Sequence, residues 1–515
     1  MARLLSILVA CIVPVFAALP ASEKKTSPVR TEVTSVELDF PDGTGASSPG
    51  LTRAPDGTVW LIWLERALKG HAVLCAPFDP ALRRWSAART LATGPAVAAP
   101  DATAPVLAAG AGGRLAAVWA QITPGPQSTA VLYTSASRDA GLTWSPPVPL
   151  TSESAATAAP ALTFLADGRL LAAWLDRRGR ALGDRNVRLY ARIVSEPGAP
   201  DVLLEPRVSE RCAPALGAFP DGGAILSYRS LDDGGVRDIR VVRFNAGQWA
   251  EDRVINDDRW RVAESPGEGP RLAVAGGRIA AAWFTGADYQ ARVQISTSSD
   301  AGLRFLMPLT LDFGRPLGFP AVTLLHDGAV VALWREDVSS ERNARPGGLW
   351  LRRASPAYSF DPPVLLAPAA ARPLVGSPRI AIVRDFAGGD GVAELLVAYT
   401  TRGEGSRVHT LLVTVPEGAL LAAAAECGCA PTADEALGYP LRGAFTALDP
   451  ARDEVTVKHG QLPGLLPDGP TVFKVAPGVF ASAQVGRDFL GRVELLEGRW
   501  RLFNIRLLVA PPARK

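Results

Sequence analysis

Three groups of residues in this chain carry side chains able to do chemistry. The first is a set of arginines and acids at the ends of apolar, strand-like runs: Arg66, Asp176, Arg177, Arg211, Arg229, Arg335 and Glu336. A guanidinium presents a planar fork of donors that suits a carboxylate. The second is Tyr289 with Asp288 beside it, in Gly286-Ala-Asp-Tyr289. A tyrosine works as a nucleophile only with a base in hydrogen-bond reach, and adjacency in sequence does not guarantee that geometry. The third is Cys427-Gly-Cys429 with His459 further on. A Cys-x-Cys pair can grip a soft metal; it can equally be a disulfide or a redox pair in an oxidising compartment. Each group also has a plainer reading, as solvated rim charges, a loop tyrosine or inert residues.

Other chemistries lack their motifs. There is no phosphate-cradling Walker loop, no dinucleotide glycine pattern after a strand, no His-Glu-x-x-His and no nucleophile elbow. The net charge of +3 is too small to argue for nucleic acid or a membrane surface as partner. Only six of the 54 basic residues are Lys, a bias that looks genomic, so abundant Arg alone is poor support for an anionic ligand. Residues 1–21 read as an export signal: Arg3, an apolar core from Leu4 to Val15, and a small-residue exit at Leu19-Pro-Ala21. The expected location is periplasmic or secreted, with a lipoprotein anchored through Cys11 as the lesser reading. No other segment reads as a membrane span.

The elements that must position these residues recur with a near-constant period. Each unit is a Pro, an apolar strand, a Gly-containing turn, and a second apolar strand ending on an aromatic. The prolines are Pro49, Pro105, Pro160, Pro214, Pro270, Pro320 and Pro378. A period of about 55 residues rich in short strands means a propeller or array. Seven units predict an all-β, seven-bladed β-propeller over residues 30–416, with six blades as the alternative. The last unit is one strand short, and Thr31–Phe40 has strand alternation and no partner. We expect it to complete that blade and so close the ring.

Two octapeptides sharpen the assignment: Ser137-Arg-Asp139-Ala-Gly141-Leu-Thr-Trp144 and Ser298-Ser-Asp300-Ala-Gly302-Leu-Arg-Phe305. Asp accepts from backbone N–H groups ahead of it, Gly supplies positive φ, Ser bonds across the turn, and the aromatic packs between sheets. The pattern is the Asp-box, and it resembles the repeats of sialidases and other Asp-box propellers. The resemblance implies that the boxes lie on one face and that the mouth, where a substrate would sit, lies on the other. Strand-two ends and strand-one starts would then line it, with Arg prominent and a carbohydrate or protein ligand as partner. It also implies an Arg-Ile-Pro motif, three Arg on a substrate carboxylate, a Tyr nucleophile and an Asp acid/base. The Arg-Ile-Pro position falls near Ser48-Pro49-Gly50, where no Arg stands, and the rest does not map beyond the Tyr289–Asp288 candidate.

Composition changes near Pro416. Residues 417–436 read as a linker carrying Cys427 and Cys429, and residues 437–515 as a small OB-like barrel of five strands. The run Val455-Thr-Val-Lys-His459-Gly-Gln-Leu-Pro463 resembles the periplasmic copper-chaperone barrel of copper-efflux systems. That family's site for copper(I), the one candidate cofactor, uses a His, two Met and a Trp. Here His459 stands in place, but Leu466 falls at the Trp and Gly469 and Thr471 at the Met positions. The expectation is an exported binding or scaffold module linked to carbohydrate or copper handling in the cell envelope. The alternative is an exo-acting glycoside hydrolase of sialidase type.

Overall fold

The computed structural model describes residues 32–507 except 42–44, 99–102, 124–128, 152–156, 179–185, 338–345, 357–359, 370–372, 387–390, 404, 417–438, 461–465, 477–478, 481–482 and 497–498. The expected export signal, Cys11, Cys427 and Cys429 therefore lie outside the described residues. Among the described residues no helix is long and apolar enough to cross a membrane.

The chain is all-β. Seven antiparallel sheets follow one another, and their first strands touch in order around a ring in which the last meets the first. These first strands are Ser47–Arg53, Val106–Ala109, Thr157–Phe164, Ala215–Ala218, Arg271–Ala275, Pro316–Leu324 and Leu374–Arg384. This is a β-propeller. Its seventh blade takes its outer strand from the N-terminal side: Thr34–Leu38 pairs antiparallel with Ser406–Pro416, from Thr34 opposite Thr414 to Leu38 opposite Thr410. The first and last blades are thereby tied at opposite ends of the chain.

The second strands explain why the sequence reads as apolar runs rather than alternation. Val59–Leu64 is buried at every position, and so is all of Ala224–Arg229, because both faces of an inner strand are covered by neighbouring blades. The aromatics that end these runs, Trp63, Trp119, Trp174, Tyr228, Trp283 and Trp334, are all at most 1% exposed. Three of their indole N–H groups donate to an acid two residues on: Trp63 to Glu65, Trp174 to Asp176 and Trp334 to Glu336. A buried indole needs an acceptor, and the W-x-[DE] spacing supplies it along one strand face.

Turns are closed by their own carboxylates. Asp56, Asp167, Asp221 and Asp327 each accept from the N–H two residues ahead at 2.8–2.9 Å, over a positive-φ Gly. The two Asp-boxes share one geometry. Ser137 Oγ accepts the Gly141 N–H at 2.9 Å, and Ser298 Oγ accepts that of Gly302 at 2.9 Å. Asp139 and Asp300 accept the Thr143 and Arg304 N–H groups, both at 2.9 Å. Bonds from Thr143 hold the Asp139 carboxyl down at about 2. The Ala140 N–H reaches the Gly113 carbonyl of the preceding hairpin turn, which sets the box on the turn side of the blade. The box aromatics Trp144 and Phe305 wedge against the preceding blade, and Trp85 and Trp249 do the same from blades without a full box.

Beyond the propeller, Tyr439–Asp449, Glu454–His459, Gly469–Lys474, Asp488–Leu496 and Arg499–Leu507 form a closed five-stranded barrel. The third and fifth strands close it in parallel. Its core holds Phe445, Phe473 and Phe489, all fully buried, with Phe445 and Phe489 stacked at 4.4 Å.

Candidate functional site: a central cationic cavity

The repeat prolines stand in the first strands or immediately before them. Proline has no N–H to give the ladder, so the pairing register slips there. Bulges fall between Ser47 and Gly50, Ala158 and Ala161, and Gly318 and Ala321. The residue before each of these prolines takes positive φ: Ser48 at 54°, Ala159 at 52° and Phe319 at 55°. These bulged starts line a central cavity of about 790 Å³ to which all seven blades contribute.

The described part of its wall is charged with one sign. Among the described lining residues stand four arginines, Arg211, Arg271, Arg379 and Arg402, and no Asp, Glu, His or Tyr. Arg271 and Arg379 meet at Ser377. Arg271 Nη2 donates to Ser377 Oγ at 3.1 Å, and Arg379 Nη1 donates to the carbonyls of Ser377 at 3.3 Å and Pro378 at 3.1 Å. Arg271 Nε is enclosed without a partner. Neither guanidinium is joined to a carboxylate among the described residues. Burial depresses both, and the like charge of Arg271 presses further on Arg379. A guanidinium nevertheless keeps its charge at accessible pH, so the half-buried pair leaves a positive site on the cavity wall.

Behind this wall lies Glu268, between the lining residues Gly267 and Gly269 and itself 7% exposed. Its carboxylate accepts the Phe319 N–H. Burial raises it to about 7, against the pull of that bond and of Arg271, Arg229 and Arg335.

The residues expected at the mouth separate into two sets. Arg211 is exposed and lines the cavity. Arg335 stacks 4.4 Å over Phe319 and spends its fork on the carbonyls of Leu374 and Gly376, joining the sixth blade to the seventh. Arg229 is 1% exposed and lies against Trp260; it donates to the carbonyls of Glu268, Arg237 and Phe284. Asp176 is fully buried between the Trp174 indole and Arg178. Glu336, at 3% exposure, holds the Trp334 indole and the Arg315 N–H, and burial raises its carboxyl. Arg177 is half-buried and its charge acts on Glu210, while Arg66 is exposed at its strand end. Asp288 and Tyr289 line a separate hollow with Asp257 and Trp260. Both take positive φ, at 56° and 59°, and the Tyr289 side chain, at 82% exposure, has no hydrogen-bond partner among the described residues.

Arg271 and Arg379 were not singled out in the sequence, yet a signal for them exists. The position after the repeat proline is Gly50, Val106, Ala161, Ala215 and Ala321 in five units, and Arg in the other two. A long cation twice at a position otherwise small or apolar marks two of the blades that charge the cavity.

In the barrel, His459 is 3% exposed and both ring nitrogens are engaged, one with the Gly460 carbonyl at 2.7 Å and the other with Thr471 Oγ1 at 2.8 Å. Gly469 lies opposite His459 in the ladder and Leu466 is buried in the barrel core. No group of three or more His, Cys, Asp or Glu able to hold a metal ion occurs among the described residues.

No family model matches the sequence, and no curated protein matches it. Solved structures similar to this chain include a Hadza microbial sialidase, with 15% identity, a TM-score of 0.39, and coverage of 57% of this chain and 63% of that one. The chain thus spans less than two thirds of that sialidase's length. A lectin from Burkholderia pseudomallei matches with 11% identity and a TM-score of 0.45, over 71% of this chain and 98% of the lectin. An ulvan lyase of polysaccharide lyase family 25 matches with 11% identity and a TM-score of 0.47, over 74% and 96%.

Proposed function

We propose that the protein is an exported binding propeller whose central cavity receives the anionic end of a ligand, an acidic saccharide being the class that fits. One observation carries this reading: four arginines and no carboxylate among the described residues of a cavity shared by all seven blades. Arg271 and Arg379 hold like charges side by side with no counter-ion from the described chain, an arrangement that a ligand carboxylate or sulfate would relieve. The Asp-box resemblance to sialidases supplies the carbohydrate part. A glycosidase would need a paired acid and base or a tyrosine with its base at the same place; neither is present among the described lining residues.

The test is an array of acidic and neutral saccharides probed with the wild type, Arg271→Ala and Arg379→Ala. Acidic saccharides should bind preferentially, and each variant should lose tenfold or more, about 1.4 kcal/mol or greater. Equal binding of neutral and acidic saccharides, or unchanged affinity in both variants, overturns the reading. Clear turnover of a fluorogenic sialoside would replace it with the hydrolase.

A further inference from the structure

We infer that Glu268 couples anion binding in the central cavity to uptake of a proton, so that the site takes its ligand and a proton together. The inference rests on the cavity being an anion site. Its basis is the position of one carboxyl group. Glu268 is the nearest acid in the chain sequence to Arg271, it is 7% exposed, and its flanking residues Gly267 and Gly269 form part of the cavity wall. It is packed so tightly against Gly318 that a Cβ there would stand 2.6 Å from its Oε1. The carboxylate cannot swing that way to find water.

The charged groups facing Glu268 come from three blades: Arg229 from the fourth, Arg271 from the fifth and Arg335 from the sixth. Among the described residues none forms an ion pair with it. Arg229 and Arg335 spend donors on backbone carbonyls, and Arg271 Nη2 is on Ser377. Among the described residues the one hydrogen bond to the Glu268 carboxylate comes from the Phe319 N–H. Burial therefore competes with that bond and with the attraction of three arginines, and it leaves the carboxyl at about 7. Arg229 is faced on another side by Asp258, whose carboxyl is hydrogen-bonded to that of Asp238.

An anion seated on Arg271 cancels part of the field that keeps Glu268 ionised, so Glu268 gains proton affinity. By reciprocity, protonating Glu268 removes a negative charge from behind Arg271 and tightens the anion. Lowering the pH from 8 to 6 should then tighten binding by roughly fivefold or more, the lower end of ordinary coupling factors.

The experiment is calorimetric titration of the full chain with galacturonate and with inorganic sulfate, at pH 6 and 8, in pairs of buffers differing in ionisation enthalpy. Sulfate does not titrate in this range, so its pH dependence belongs to the protein. The expected result is tighter binding at pH 6, net proton uptake near pH 7, and loss of both pH dependence and uptake in Glu268→Gln, which should bind at pH 8 as the wild type does at pH 6. Binding that is equal at the two pH values without proton uptake overturns the coupling while leaving the anion site standing. Uptake that persists in Glu268→Gln assigns the proton to the Asp238–Asp258 pair and overturns the role of Glu268. Failure of both probes to bind at any pH refutes the anion site itself. If Glu268→Gln does not fold, the buffer-dependent heats of the wild type still decide whether a proton is taken up.

Discussion

The Asp-boxes should hold the propeller together through their serines and leave ligand binding alone. The perturbation is Ser298→Ala, with Ser137→Ala as its counterpart. Ser298 is 3% exposed; its hydroxyl accepts the buried Gly302 N–H at 2.9 Å and donates to Asp300 Oδ1 at 2.9 Å. Gly302 sits so close to the preceding blade that an added Cβ would lie 2.4 Å from Ile225 Cδ1. Removing the hydroxyl strands a buried donor that has no room to turn elsewhere, at a cost of about 1–3 kcal/mol. Ser137 makes the same bonds at 2.9 and 2.7 Å in another blade, so the double variant should lose roughly 2–6 kcal/mol, the two sites sharing no partner. The assay is thermal and urea unfolding followed by tryptophan fluorescence, which the buried indoles of Trp63, Trp119, Trp174, Trp283 and Trp334 report. A loss of this size lowers the melting midpoint by a few degrees per box. Melting midpoints unchanged in the double variant would refute the structural reading of the boxes. So would an intact midpoint accompanied by lost ligand binding.

Stability should fall as pH rises. Burial raises Glu268 to about 7, and burial followed by the Asp258 charge raises Asp238, so each favours the fold when protonated. For Glu268 the stabilisation is complete below its unfolded value near 4.5 and is lost as pH climbs through 7, a difference of roughly 3 kcal/mol. Urea midpoints taken from pH 5 to 9 should decline, and Glu268→Gln should flatten the part around 7; a wild-type midpoint that rises over this range contradicts the burial argument. Deleting residues 26–40 should lower the melting midpoint by several degrees, because it bares the edge of Ser406–Pro416, and a deletion that melts like the full chain would show the strand to be dispensable. For copper(I), competition with a chromophoric chelator should show weak binding by the full chain. Thr471→Met, which puts a thioether where Thr471 Oγ1 now meets His459, should tighten it; no change would mean that the barrel does not carry the copper-chaperone ligand positions. Gly469→Met is the poorer probe, since Gly469 has φ at 139°.

The propeller was legible because its signals are repeated and local. Proline, apolar run, Gly turn and terminal aromatic recur in each unit, and any one unit can be read badly without losing the period. The N-terminal strand was legible for a different reason: Thr34–Leu38 alternates, and the last unit lacked a strand. The cavity was harder. Strand-two ends read as a charged rim, but the W-x-[DE] spacing at Asp176 and Glu336 turns them inward to a buried indole. Arg229 likewise stands at a strand end and spends its whole fork on the backbone carbonyls of Glu268, Arg237 and Phe284. For charges outside that spacing, which of them faces the axis is decided by packing between units some 55 residues apart. Arg271 and Arg379 are masked by the repeat itself, because they lie inside the repeated phrase, one residue past its proline. The informative comparison is between the repeats themselves: at a position where five blades carry a small or apolar side chain, a guanidinium costs the fold desolvation and like-charge repulsion that Gly, Ala or Val would not. A chain that bears that cost twice, in two blades whose arginines converge on one serine, has a use for the charge that folding alone does not supply.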